Sequence, residues 1–96
     1  MVREEDRPDD LRLLQALAGG DEGALFLLHG RYAGRILMLA QREGLADPEQ
    51  AVEDAFVLMC RSACCFVRSD LPPPIWIIGM ALWHFRRIGP DTFSTH

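Results

Sequence analysis

Four residues near the middle of the chain, Glu49, Gln50, Glu53 and Asp54, are the first whose types and spacing could do chemistry. Glu49 and Glu53 are four apart, so on a helix they share one face, and Asp54 lies beside Glu53. A carboxylate row of this kind can receive Arg side chains from a partner through charge-assisted hydrogen bonds. It is also what an ordinary solvated helix start carries, because acidic groups are favoured at the positive end of the helix dipole. A second constellation, Trp76, Trp83, Phe85, Arg86 and Arg87, lies further on. Aromatics interleaved with Arg can stack on unpaired bases while guanidinium groups hold phosphates. Helical spacing puts Trp76, Met80, Trp83 and Arg87 on one side. The competing reading makes Trp76, Met80 and Trp83 plain core residues.

Cys60, Cys64 and Cys65 are an odd number of thiols, close together, and form no disulfide framework and no CxxC pair. A zinc site would need further ligands, and the only histidines are His29, His84 and His96. The cysteines are therefore read as buried thiols, and neither a metal nor a cofactor is expected. His29 lies beside an apolar stripe and reads as a satisfied structural or surface histidine. No Ser-His-Asp set, glycine-rich phosphate loop or HExxH stretch is present, so no enzyme is expected.

These residues need elements to hold them. Ninety-six residues make one domain at most, and 49% hydrophobic composition is too apolar for a disordered tail. The net charge is -4, which argues against binding nucleic acid by bulk charge. All ten basic residues are Arg, which suits planar bidentate contacts and equally reflects a GC-rich codon bias. The charged stretch Met1 to Asp10 is no signal peptide, and the apolar stretch Leu71 to Phe85 falls short of the ~20 residues of a spanning helix. With clustered, unpaired cysteines, a reducing cytoplasm fits best.

Helical periodicity marks four segments. The first covers about Asp9 to Ala18, with Leu11, Leu14 and Leu17 recurring, and Gly19-Gly20 ends it. The second runs from Asp21, an N-cap by residue type, to Glu43 before Gly44, with Leu25, Leu28, Tyr32, Ile36 and Leu39 as its buried stripe. Arg31, Arg35 and Arg42 lie off that stripe. The third opens on Asp47-Pro48-Glu49-Gln50, a capping carboxylate with Pro at the first helical position and Gln where a capping box wants it. Its apolar face is Val52, Ala55, Phe56, Met59 and Ala63, and it ends near Phe66. After a loop, Val67 to Pro74, the fourth opens at Pro74 and stops before Gly89-Pro90. The expected organisation is all-α: a flexible N-terminus over 1–8, a compact bundle of three main helices with a short N-terminal one over 9–88, and a tail over 89–96. Ile75 to Phe85 is apolar nearly all round, so one side must be covered by something or stay exposed.

The run Leu13-Leu14-Gln15-Ala16-Leu17-Ala18-Gly19-Gly20-Asp21-Glu22-Gly23-Ala24-Leu25 resembles the opening of an extracytoplasmic-function sigma factor of bacterial RNA polymerase. Leu28 to Leu39, with Arg31-Tyr32-Ala33 and Arg35, is similar to the first core helix of region two of that family. Asp47 to Arg61 resembles its polymerase-binding helix, and Leu71 to Arg87 stands where the promoter-melting and recognition helix lies. The resemblance covers roughly residues 11 to 88 and rests on the order and spacing of several short signals together. It implies that Glu49, Gln50, Glu53 and Asp54 dock on an Arg-rich coiled coil of the polymerase largest subunit. It also implies that Trp76, Trp83, Arg86 and Arg87 contact single-stranded promoter DNA at the minus-ten element.

The departures fall mostly in the fourth segment. Gly79, Leu82 and Trp83 occupy positions that are basic or polar in the family, and Pro73 and Pro74 stand where Phe and Arg are common. Gln50, Glu53 and Asp54 keep the acidic character with identities shuffled, and Cys60 replaces a Trp. Only eight residues follow Ile88, so no second DNA-binding domain is expected. The expected function is that of a region-two domain that binds RNA polymerase and takes part in transcription initiation. Two rivals accompany it. One is a decoy or co-regulator that binds an anti-sigma factor or supplies region two to a second sigma subunit. The other is a small homodimer formed through the apolar last helix. No membrane partner is expected.

Overall fold

Three aspartates set the starts of three helices. Asp9, Asp21 and Asp47 each turn a side-chain oxygen onto a backbone N–H of the first turn: Arg12 at 2.8 Å, Gly23 at 2.9 Å and Gln50 at 3.1 Å. Each cap satisfies a donor that the helix cannot satisfy itself. In the computed structural model, which describes residues 9–89, the elements are α1 (Asp10–Ala18), α2 (Glu22–Arg42), α3 (Pro48–Ser69) and α4 (Pro73–Ile88). No strand occurs among the described residues. The architecture is the expected all-α one, three main helices and a short first one. The expected flexible N-terminus over 1–8 and the tail from Pro90 lie outside the described residues.

Two boundaries differ from expectation. α3 continues past Phe66 to Ser69 and ends on Asp70, whose φ of 58° and ψ of 11° are left-handed. Asp tolerates that conformation better than most residues, so no glycine marks the stop. Ser69 closes the end by donating its hydroxyl to the Phe66 carbonyl at 2.8 Å and accepting the Leu71 N–H at 3.2 Å. The loop is therefore short, Asp70 to Pro72, and α4 opens at Pro73 rather than Pro74. Pro73 and Pro74 both sit in the first turn, where a missing N–H costs nothing. The capping box at Gln50 is half-formed. Its backbone N–H binds Asp47, but its side-chain amide donates forward to Asp54 at 3.0 Å.

The core forms where α3 meets all three other helices. The expected face of α3, Val52, Ala55, Phe56, Met59 and Ala63, is buried, with Ala51 and Phe66 added. On α2, Leu28, Tyr32 and Ile36 are buried as expected, but Leu25 and Leu39 are half-buried, and Ala24 and Ala40 complete the stripe. On α1, Leu11 is exposed and Leu13 joins Leu14 and Leu17 inside. α1 is tied to α2 through Asp10, which accepts from Arg31 Nη1 at 2.7 Å and from the Tyr32 hydroxyl. Burial, helped by the bond to Asp10, pushes the Tyr32 pKa up to about 12.

Of the mid-helix glycines, Gly30, Gly34 and Gly79 have open space where a Cβ would stand. Each costs its helix about 1 kcal/mol relative to Ala, and no contact within the chain requires any of them. No described helix is long and apolar enough to cross a membrane.

Phe56 is the large side chain that joins the α3 face to α2, its ring centroid 4.7 Å from that of His29. Truncation to Ala should cost roughly 3–5 kcal/mol, a large part of the ~5–15 kcal/mol that holds a domain folded. Thermal unfolding followed by circular dichroism should show Phe56→Ala melting far below the parent. An unchanged melting temperature would remove Phe56 from the core.

Candidate functional site

The expected acidic row is on the surface. Glu49, Gln50, Glu53 and Asp54 are all exposed on the first turns of α3, held there because Ala51, Val52, Ala55 and Phe56 bury the opposite side. They do not all point into free solvent. His29 of α2 brings its Nε2 to 3.1 Å from Glu53 Oε1, and Asp54 receives the Gln50 amide. With a neutral imidazole the His29 contact is a hydrogen bond, and with a protonated one it is an ion pair. Both side chains are well exposed, so the pair contributes little to stability. Its effect is to orient Glu53 toward α2.

Between α2 and α3 runs a furrow of about 540 Å³, floored by Leu25, Phe56, Val57 and Cys60, with Glu22 and Glu53 at its edges. Phe26 stands over it, 80% exposed. A second hollow of about 200 Å³ lies along the same pair of helices, lined by Ala33, Gly34, Leu37 and Val52 and edged by Glu49 and Glu53. His29 lines both. The chemistry is that of an apolar trough with carboxylate edges. It can take the apolar ridge of another helix while Glu22, Glu49 and Glu53 meet flanking cations. Sequence reasoning missed Glu22, Phe26 and His29 as members of this site. Phe26 lies off the buried stripe of α2, and that was the one signal available.

The second constellation is divided. Trp76 is 5% exposed, edge-on to Phe66 with centroids 5.5 Å apart, and so is a core residue with no face open to a base. This corrects its expected role in DNA contact. Trp83 is 53% exposed, and the Arg87 guanidinium lies over its ring at 4.5 Å. Arg86 is exposed and donates from Nε to Glu43 Oε1 at 3.2 Å. Trp83, Arg86 and Arg87 thus share the C-terminal half of α4, while Trp76 lies two turns back on the side of Trp83, where Phe66 covers it. A separate hollow between α2 and α4, lined by Met38, Leu39 and Ile78, is edged by Arg35 and Arg42.

The cysteine reading also needs correction. Cys60 is half-buried, and Cys64 and Cys65 are exposed, all three as free thiols. The helix continues to Ser69, and positions 64 and 65 fall on its outer arc beside Arg61 and Arg68. No cluster of three or more metal-ligating groups occurs among the described residues.

His84 carries an unexpected feature. It is the one buried polar residue among those described, and its Nε2 has no hydrogen-bond partner there. Nδ1 faces Arg87 Nη2 at 3.3 Å. Arg can only donate, so Nδ1 must accept and the proton sits on the buried Nε2. Burial lowers the His84 pKa below its ordinary value, and the Arg87 charge lowers it further, against a smaller opposing pull from Asp54.

Compared with protein-family models, with curated proteins and with solved structures, the chain has no match.

The His84 environment sets a pH dependence. The folded state holds the imidazole neutral more strongly than the unfolded state does. Stability is then complete above the ordinary value near 6.5 and falls as pH drops through that value toward the lower folded one. Melting temperatures measured from neutral pH down to about pH 5 should decline for the parent. They should decline less steeply for His84→Leu, which fills the same space without a titrating group. Identical slopes for the two proteins would show that His84 is not the titrating group.

Proposed function

We propose that this chain is a sigma-factor region-two-like docking domain that binds RNA polymerase core and takes part in transcription initiation. The furrow between α2 and α3 is its dock. The observation that carries the reading is the pairing of an apolar trough with Glu22, Glu49 and Glu53 along its edges. An Arg-rich coiled coil, the partner that the family resemblance implies, offers guanidinium groups to meet those carboxylates. Of the residues expected for the dock, Glu49 and Glu53 edge that trough, while Gln50 and Asp54 line a separate hollow that faces the end of α4 at Ile88 and Gly89. The order of segments supports the same reading. A short helix, a Gly-Asp turn, a long helix, an acidic helix start and a final apolar helix follow one another in the sequence as in the family.

A second reading concerns the last helix. Trp76 belongs to the core, Arg87 covers a face of Trp83, and Arg86 is engaged by Glu43. These placements favour a domain that acts by protein contact, either binding an anti-sigma factor or supplying region two to a second sigma subunit. On the promoter-reading alternative, Trp83, Arg86 and Arg87 are the residues left to meet single-stranded DNA.

Two experiments follow. Purified polymerase core should be captured by the parent and lost with Glu53→Arg plus Asp54→Arg, each charge-assisted contact being worth on the order of 1.5–3 kcal/mol. Unchanged helicity in the variant with unchanged capture would exclude this face as the dock. Titration of short single-stranded DNA followed by indole fluorescence tests the last helix. A base stacked on Trp83, at roughly 1–3 kcal/mol, should change the emission of the parent and not of Trp83→Phe, which keeps the buried Trp76. No response alongside intact polymerase capture selects the protein-contact reading.

A further inference from the structure

The outer side of α4 is an uncovered apolar surface. Ile75 is 59% exposed, Trp83 is exposed, Leu82 is half-buried, and the only charges on the helix are Arg86 and Arg87 at its end. Ile75, Gly79, Leu82 and Arg86 follow one another at spacings of four, three and four, which places them in one row along the helix. Gly79 sits mid-row with open space where a side chain would stand. It weakens the helix and serves no contact within the chain, which is what a close approach from outside would explain.

The geometry points to a second copy of this chain as the occupant, packed antiparallel along α4. The row is symmetric about its midpoint. In an antiparallel pair, Leu82 of each copy enters the notch left by Gly79 of the other, and Ile75 lies against the stem of Arg86. Charge selects the same direction. A parallel pair would set Arg86 and Arg87 of both copies side by side. The antiparallel pair separates the two Arg86 residues by roughly 16 Å along the axis and turns each basic end toward the exposed Asp70 before the partner's α4. One helix face is well below the ~800 Å² per partner of a standard stable interface, so the dimer is concentration-dependent. The surface is separate from the α2–α3 furrow, and the proposal does not rest on it.

Sedimentation velocity of the full chain under reducing conditions tests this. The parent should pass from monomer to dimer as concentration rises toward about 1 mM. Gly79→Leu fills the notch at a site where a Cβ meets nothing in the monomer, so it should keep or raise the melting temperature and weaken dimerisation at least about tenfold. Ile75→Arg, placed against Arg86 of the partner, should weaken it comparably, whereas Ile75→Glu should preserve it. Glu53→Arg with Asp54→Arg should leave it unchanged, so a failed dock and a failed dimer are told apart. A parent that stays monomeric overturns the proposal, as does dimerisation that survives Gly79→Leu. A parent that binds anionic vesicles or single-stranded DNA, loses that binding in Ile75→Glu and stays monomeric would assign the face to those surfaces instead.

Discussion

One side of α3 has to serve three neighbours at once, and the rest of the domain follows from how it does so. Its buried face alternates small and large residues: Ala51, Ala55 and Ala63 let other helices come close, while Phe56, Met59 and Phe66 reach between them. Phe56 meets α2 at His29, and Phe66 meets α4 at Trp76. α1 packs on the same helix and is tied to α2 by Asp10. Because the inner side of α3 is filled in this way, everything polar on it is confined to one outer arc. Glu49, Glu53 and Asp54 take the first turns, and Arg61, Cys64 and Arg68 the last.

Charge is segregated about α2. On its α3 side the furrow is edged by Glu22, Glu49 and Glu53, and on its α4 side the hollow is edged by Arg35 and Arg42. α2 itself lies between the two sets, so they do not neutralise each other. Two of the ion pairs that do form among the described residues, Glu53 with His29 and Glu43 with Arg86, are at the surface and contribute little to folding. A third, Asp10 with Arg31, lies between α1 and α2 away from the furrow. A net charge of -4 therefore hides two local fields of opposite sign, and local field rather than net charge decides what a furrow can attract.

α4 bears the cost of smallness. A four-helix domain can cover only one side of its last helix, and Trp76, Ile77, Ala81 and Phe85 use that side up. The opposite side keeps Ile75 and Gly79 at the surface, and Trp83, two turns on from Trp76, runs out past the packed neighbours. His84 falls at the edge of the packed side, close enough to be desolvated and too far from any acceptor to satisfy Nε2. A buried donor without a partner is one of the more expensive features a small domain can hold.

Local signals were legible in the residues themselves. Asp9, Asp21 and Asp47 announce helix starts because a cap acts within one turn, and the α3 stripe announces its buried face because polar and apolar residues separate cleanly around it. The exposure of Glu49, Gln50, Glu53 and Asp54 follows from that separation. α4 had no such contrast. Trp76 and Trp83 are two turns apart on one side of it, so periodicity treats them alike, and only the reach of Phe66 along the helix buries Trp76 and leaves Trp83 out. Distant partners were equally out of reach. His29 and Glu53 are 24 positions apart, and only the crossing of α2 and α3 brings them together and makes Phe26, Glu22 and His29 part of one furrow. The end of α3 depended on Asp70 adopting a left-handed conformation, which residue type permits but does not announce. Cys64 and Cys65 lie within the helix on either side of the arc opposite its stripe, and their exposure follows from the burial of Ala63 and Phe66.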